Sequence, residues 1–79
     1  MNKEWEQKEG HLVRELEFKN FLEAIDFVNK IAFVSEEINH HPDLLIHSYN
    51  KIKVMITTHS KQAVTEKDYD LAKRIDELL

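Results

Sequence analysis

Residues 11–30, HLVRELEFKNFLEAIDFVNK, change their hydrophobic period at Asn20. Before that residue, Leu12, Leu16 and Phe18 share one parity, which is the pattern of a strand with one buried face. After it, the apolar positions recur at the helical period of about 100° per residue. The stretch therefore predicts a strand that leads directly into an amphipathic helix.

The predicted helix carries one apolar arc, formed by Phe21, Ala24, Ile25, Val28, Ile31, Ala32 and Ile38. Asn20 gives it a capping-box-like start, because an acidic residue follows three positions later. Pro42 disfavours helical geometry at His41. We therefore expect about five helical turns that end near Asn39 or His40.

Further strands are predicted on both sides of the helix. Residues 4–8 precede a turn at Glu9 and Gly10, and they should pair with the strand that follows. Residues 44–49 form an apolar run that suits a strand, and residues 51–58 alternate between apolar and polar side chains. We expect these two runs to form a hairpin that turns through Asn50 and Lys51.

A second helix is predicted at the carboxyl end. Thr65 and Asp68 form a capping-box pattern, and an apolar stripe follows at Leu71, Ala72, Ile75 and Leu78. The element order is then β-β-α-β-β-α, which predicts an α+β fold: a four-stranded antiparallel sheet with two helices packed on one face. Because the chain holds one Gly, one Pro and no linker-like stretch, we expect a single domain over residues 1–79.

Two helices cannot cover a four-stranded sheet completely. Much of the other face and at least one edge should stay open, and a chain of 79 residues has only a small core. This favours a homodimer, with a homotetramer as the alternative.

Composition excludes several classes of function. Without cysteine there is no disulfide framework, thiolate zinc site, iron–sulfur cluster or cysteine nucleophile. Eleven basic against 15 acidic residues, with no basic block, give a net charge of −4 and no cationic surface for nucleic acid or anionic lipid. No apolar run reaches the length of about 18 to 20 residues that spans a membrane, and residues 1–6 lack the apolar core of a signal peptide. We expect a cytoplasmic protein that binds neither nucleic acid nor a membrane.

Histidine is the chemically informative residue of this sequence. His40, His41 and His59 lie at the ends of predicted elements, where small folds often collect functional side chains. His11 and His47 lie inside predicted strands, and we interpret them as structural or incidental.

Two carboxylates stand close to these histidines in the predicted elements. Glu36 lies four residues before His40, so on a helix it could accept a hydrogen bond from that imidazole and fix its tautomer. Asp68 lies in the first turn of the last helix, where it could orient an imidazole or simply cap the backbone of Thr65. Both interpretations of Asp68 remain open from the sequence.

Three histidines and two carboxylates could also hold zinc or non-haem iron. The H-E-x-x-H and H-x-H spacings that place ligands on one face are absent, and adjacent residues such as His40 and His41 rarely chelate one ion well. We therefore expect no metal. A single glycine also excludes a glycine-rich phosphate loop, and no serine stands in a nucleophile elbow.

Several of these residues together meet the pattern of a known family. They are residues 36–43 (EEINHHPD), Tyr49, Thr58, His59, Thr65 and Asp68. Six residues separate Pro42 from Tyr49 and nine separate Tyr49 from His59, so several fixed spacings are met at once. On this pattern the chain resembles the pterin-4a-carbinolamine dehydratase family, and the likeness extends upstream to Trp5 and residues 16–21.

The resemblance implies an enzyme that dehydrates 4a-hydroxytetrahydrobiopterin to quinonoid dihydropterin, in the recycling of tetrahydrobiopterin. It implies no metal and no organic cofactor. His40 and His59 would form the acid/base pair, without distinction between acid and base, and His41, the third catalytic residue, would orient the substrate and contribute electrostatically. Imidazoles suit both tasks because they ionise near a pKa of about 6.5.

The supporting roles follow from the same resemblance. Glu36 would orient His40, Asp68 would orient a side chain or cap the helix, and Pro42 and Thr58 would line the substrate pocket. The chain departs from the family where Ala63 replaces a common glycine, and alanine resists the positive φ that glycine adopts freely.

A different class of function remains as the alternative. Animal relatives in this family also serve as a dimerisation cofactor for a homeodomain transcription factor. The chain could therefore be a non-catalytic protein-interaction module on the same fold.

Overall fold

Six elements follow one another along residues 4–79, the part of the chain that the computed structural model describes. They are β1 (Glu6–Lys8), β2 (His11–Glu17), α1 (Phe21–Ile38), β3 (Asp43–His47), β4 (Lys51–Ile56) and α2 (Glu66–Glu77). The predicted order β-β-α-β-β-α is confirmed. The expectation about a signal peptide rests partly on residues 1–3, which lie outside the described residues.

The four strands form one antiparallel sheet in the order β1-β2-β4-β3. In the register between the two central strands, Leu12 faces Ile56 and Leu16 faces Ile52. Because side chains alternate along a strand, this register gathers the buried positions of both strands on one face.

Both helices pack on that face of the sheet. The buried apolar side chains form one cluster made of Leu12, Leu16, Ala24, Phe27, Ile31, Ile52, Val54, Ile56, Leu71, Ala72 and Ile75. The cluster draws on β2, β4, α1 and α2 together, so the predicted α+β arrangement is confirmed. Within residues 4–79, neither helix is long and apolar enough to cross a membrane.

Helix α1 begins and ends as its sequence predicts. The Asn20 side chain accepts a hydrogen bond of 2.9 Å from the backbone N–H of Glu23. At the other end Asn39 adopts a left-handed backbone with φ of 52°, and the N–H of His40 donates to the carbonyl of Ser35 over 3.1 Å. The helix thus ends at Ile38, four residues before Pro42, and the chain changes direction at Asn39.

The buried stripe of α1 lies slightly to one side of the predicted arc. Its fully buried residues are Ala24, Phe27, Ile31 and Ser35. Phe21 is half exposed, with 50% of its surface accessible, and Ala32 is also exposed. The stripe centres on Phe27 because that ring packs against the ring of Phe18, with 5.1 Å between their centroids.

The β3–β4 turn differs from the sequence prediction. His47 pairs with Lys51, so the turn consists of Ser48, Tyr49 and Asn50 rather than Asn50 and Lys51. Asn50 is buried because its side-chain amide donates to the carbonyl of Phe18 over 2.9 Å, which fixes the point where the turn ends.

Strand β4 ends at Ile56, two residues before the predicted end. The Thr57 hydroxyl donates to the carbonyl of Gly10 over 2.8 Å, and the N–H of Thr58 pairs with the carbonyl of Ala63 over 3.1 Å. These bonds replace the strand ladder and start a tight loop. The left-handed residue in that loop is Gln62, with φ of 51°, so the neighbouring Ala63 does not occupy the strained position.

Candidate active site

Three segments meet at one rim of the sheet. The residues between α1 and β3 lie beside the loop that follows β4, because the start of β3 pairs with the end of β4. The start of α2 closes the third side. A cleft of about 350 Å³ lies between these segments, and its lining includes His40, His41, Pro42, Thr58 and His59. The structure thus gathers the predicted histidines in one open cleft.

His40 contacts the start of α2. Its Nε2 lies 2.6 Å from Oδ1 of Asp68, a carboxylate that is fully buried. The other oxygen of Asp68 accepts hydrogen bonds from the backbone N–H of Thr65 over 2.7 Å and from the Thr58 hydroxyl over 2.8 Å. Asp68 therefore both completes the capping box of α2 and contacts an imidazole, so the two interpretations of this residue hold together.

The electrostatics of Asp68 follow from these contacts. Burial alone raises the pKa of the Asp68 carboxyl, because the charged form loses water. Hydrogen bonds from His40, the Thr65 backbone and Thr58 outweigh that effect and hold the pKa of the carboxyl below its usual range. An ionised carboxylate thus lies directly behind the ring of His40.

Glu36 contacts a different histidine from the one predicted. Its carboxylate forms a hydrogen bond with Nε2 of His41, not with His40. The predicted contact needs helical backbone through His40, and the left-handed Asn39 ends the helix before that residue. The ring of His40 consequently turns towards α2, and His41 lies beside the last turn of α1. Each of the two neighbouring histidines has its own carboxylate.

His59 lies in the loop after β4 rather than at the end of the strand itself. Its side chain is exposed, and its backbone carbonyl accepts a hydrogen bond of 3.1 Å from the N–H of Gln62. This loop brings His59 to the lining of the cleft.

The remaining histidines lie outside the cleft. His11 is bonded through Nδ1 to the backbone oxygen of Glu9 over 3.0 Å. His47 lies at the far end of β3, with Nε2 at 3.8 Å from a carboxylate oxygen of Glu15. Among residues 4–79, no three His, Asp or Glu side chains converge in a way that could hold a metal ion.

Two features of the site were not found from the sequence. The Thr58 hydroxyl is bonded to Asp68, although the residue was expected only to line the pocket. Lys67, in the first turn of α2, also lines the cleft and was not singled out. For Thr58 a signal existed: it shares the parity of the buried residues Val54 and Ile56, so its side chain points towards the helices.

The sequence is similar to those of a known protein family. The family model described as "Pterin 4 alpha carbinolamine dehydratase" matches residues 1–78. A protein of Picosynechococcus sp. named "Putative pterin-4-alpha-carbinolamine dehydratase" is 49% identical over 75 residues, which covers 95% of this chain and 80% of that relative. A protein of the same name from Sulfolobus acidocaldarius is 42% identical over 74 residues, which covers 94% of this chain and 80% of that relative.

Solved structures share the fold. A structure described as a transcriptional coactivator/pterin dehydratase from Brucella melitensis has a TM-score of 0.83 and 31% identity, covering 92% of this chain and 79% of that one. A pterin dehydratase-like protein described as a RuBisCO assembly factor in the alpha-carboxysome has a TM-score of 0.74 and covers 95% of this chain and 86% of that one. At 20% identity, the second likeness concerns the fold alone.

Proposed function

Because the chain belongs to the pterin 4 alpha carbinolamine dehydratase family, we propose that it dehydrates 4a-hydroxytetrahydrobiopterin to quinonoid dihydropterin. The observation that carries the proposal is the convergence of His40, His41 and His59 on one cleft, two of them bonded to their own carboxylates. Its volume of about 350 Å³ falls within the usual range for sites that bind small molecules.

The reaction needs two proton transfers. An acid protonates the hydroxyl group on C4a, the C4a–O bond breaks, and water leaves. A base takes the proton from ring nitrogen N5, and the new double bond forms between N5 and C4a. Imidazoles can perform both transfers near neutral pH, so the chemistry calls for no metal and no organic cofactor.

The contacts of His40 suit the base. An ionised Asp68 can only accept a hydrogen bond, so the hydrogen of a neutral His40 ring lies on Nε2. Nδ1 then carries the lone pair that takes the proton from N5. His59, which also lines the cleft, is then the acid that protonates the departing hydroxyl.

The other residues of the cleft hold the substrate in place. His41, held through its Nε2 by Glu36, orients the pterin and contributes electrostatically. Pro42 and the carbon atoms of Thr58 form part of the wall against which the flat ring lies. The enzyme acts in the cytoplasm, in tetrahydrobiopterin recycling, as a homodimer or homotetramer.

Single substitutions test the roles of the histidines. We expect His40→Ala and His59→Ala each to lower kcat for dehydration at least tenfold, a loss of about 1.4 kcal/mol of transition-state stabilisation. His47→Ala is the matched control, because His47 lies about 13 Å along β3 from the cleft end of that strand, at about 3.3 Å per residue. Steady-state rates of 4a-hydroxytetrahydropterin loss measure all three. Equal rates in the four proteins would contradict the assignment.

A protein-interaction module is the second candidate. It is favoured by exposed apolar side chains on α1, where Leu22 is 79% and Phe33 is 73% accessible. The double variant His40→Ala/His59→Ala separates the two candidates. A binding module keeps its partner interaction when both histidines are removed, whereas a dehydratase loses its activity.

A further inference from the structure

A short chain of hydroxyl groups lies behind Asp68, on the side away from His40. The Thr58 Oγ1 lies 2.8 Å from Asp68 Oδ2 and 2.7 Å from the Oγ1 of Thr65. The Thr65 oxygen in turn accepts a hydrogen bond from the backbone N–H of Lys67 over 3.3 Å. Thr58 is buried, with 6% of its surface accessible, so solvent does not compete for these bonds.

The number of available hydrogens fixes the direction of the hydrogen bonds in this series of hydroxyl groups. A threonine hydroxyl has a single hydrogen, and Thr58 donates it to the Asp68 carboxylate. Thr65 must then be the donor in its contact with Thr58. Its other candidate acceptor, Asp68 Oδ2, lies 3.5 Å away, which is too long for a strong bond. The hydrogen bonds therefore run from Lys67 through Thr65 and Thr58 to Asp68.

We propose that Thr65 and Thr58 are positioning residues, whose hydroxyls hold Asp68 as a pure acceptor and so fix the His40 imidazole with its hydrogen on Nε2. Two donors meet Asp68 Oδ2, namely the Thr58 hydroxyl, which the Thr65 hydroxyl holds in place, and the Thr65 N–H, and they leave Oδ1 as the oxygen that meets His40. A protonated Asp68 could instead donate to Nε2, and the ring hydrogen would then lie on Nδ1, the nitrogen that the proposed reaction needs empty.

The inference rests on the proposed role of His40, but its measurement does not need substrate. Correlation spectra between imidazole ¹H and ¹⁵N nuclei distinguish a protonated from an unprotonated ring nitrogen in the unliganded protein. His40→Gln identifies the signals of His40. In the wild-type protein we expect the neutral ring to carry its hydrogen on Nε2 at least ten times as often as on Nδ1.

Substitutions at these positions can remove a hydroxyl group without disturbing the fold. Thr58→Val keeps the shape of the side chain and removes the donor, and Thr58→Ser keeps the donor. Thr65→Gly removes the second hydroxyl at a helix start, where glycine costs only a few tenths of a kcal/mol. Thr57→Val is the matched control, because this buried neighbour donates to the carbonyl of Gly10 and not to Asp68.

We expect Thr58→Val and Thr65→Gly to lower the ratio of the two tautomers at least threefold, and Thr58→Ser and Thr57→Val to leave it unchanged. In the dehydration assay, Thr58→Val should lower kcat with little change in KM, and Thr58→Ser should restore it. A wild-type ring with its hydrogen on Nδ1, or an equal change in Thr57→Val, would overturn the proposal. A protein with the expected tautomers but no dehydratase activity would contradict the proposed function and leave this inference standing.

Discussion

Asp68 is a buried carboxylate whose two oxygens face different neighbours. Oδ1 meets the imidazole of His40, and Oδ2 meets the start of α2 and Thr58. Because its hydrogen bonds favour the charged form, the pKa of this carboxyl is lower in the folded chain than in the unfolded one. Folding stability must therefore depend on the ionisation of this one side chain.

The sign of that dependence can be tested with Asp68→Asn. At pH 7 we expect the variant to be less stable than the wild-type protein by about 2 kcal/mol, because charge-assisted hydrogen bonds are lost. The difference is complete above the unfolded-state pKa of about 3.9 and disappears as the pH falls through the lower pKa of the folded protein. Urea unfolding from pH 7 down to strongly acidic pH measures it.

Asp26→Asn serves as the control for this series. Asp26 is exposed and, within residues 4–79, forms only a surface pair with Lys30 at 3.6 Å, so its removal should change stability by less than about 0.5 kcal/mol at any pH. A difference between Asp68→Asn and the wild-type protein that stays constant with pH would contradict the assigned ionisation.

Helix α2 is bonded to the rest of the fold near both of its ends. Asp68 holds the first turn, and in the last turn Asp76 accepts hydrogen bonds from Arg14 over 2.5 Å and from the Trp5 indole over 2.8 Å. Arg14 is buried in β2, and within residues 4–79 its Nε has no hydrogen-bond partner. The guanidinium therefore depends strongly on Asp76.

Removal of Asp76 should be costly because it leaves a buried cation unpaired. We expect Asp76→Ala to lower the free energy of unfolding by about 2 kcal/mol. The double variant Arg14→Met/Asp76→Ala should recover part of that loss, since methionine fills similar space without a charge. Urea unfolding of the three proteins measures this effect.

The exposed pair of Asp70 and Arg74, 3.4 Å apart on the surface of α2, is the comparison. Asp70→Ala should cost no more than about 0.5 kcal/mol. If the double variant is as unstable as Asp76→Ala, the loss does not come from the unpaired guanidinium.

Elements with local signals were predictable, and contacts between distant elements were not. The change of period at Asn20 and the capping box at Thr65 involve only residues that are close in sequence, so both helix starts were predicted correctly. The partners of His40 and His41 depend on where α1 stops. One left-handed residue, Asn39, exchanged the expected partner of His40 for Asp68, which lies 28 residues further along the chain.

The β3–β4 turn illustrates the same limit. Its position is fixed by the bond between the Asn50 side chain and the carbonyl of Phe18, a residue 32 positions earlier. The residues of the hairpin itself do not reveal this contact with Phe18. The sequence therefore predicts the hairpin correctly but places its turn too late in the chain.

The sheet as a whole has one covered and one open face. The open face carries charged residues such as Glu15 and Lys53, which pair across β2 and β4, and the edge strand β3 adds Leu45, half exposed at 50%. In a monomer of 79 residues, these surfaces and the exposed apolar side chains of α1 would all stay in contact with water. They support the expectation of an oligomer.

Sedimentation equilibrium tests the assembly directly. The chain mass is 9.4 kDa, so a homodimer should sediment with about twice that mass at micromolar concentration, and a homotetramer with about four times that mass. A mass of 9.4 kDa throughout the concentration range would contradict both assemblies. The candidate site would then be formed by a single chain.

The most direct test of the proposed dehydratase activity is the rate at which the purified protein converts 4a-hydroxytetrahydropterin to quinonoid dihydropterin, with and without a metal chelator. We expect a rate well above that of the uncatalysed reaction, unchanged by the chelator and lost in the double variant His40→Ala/His59→Ala. A wild-type rate equal to the uncatalysed one would contradict it.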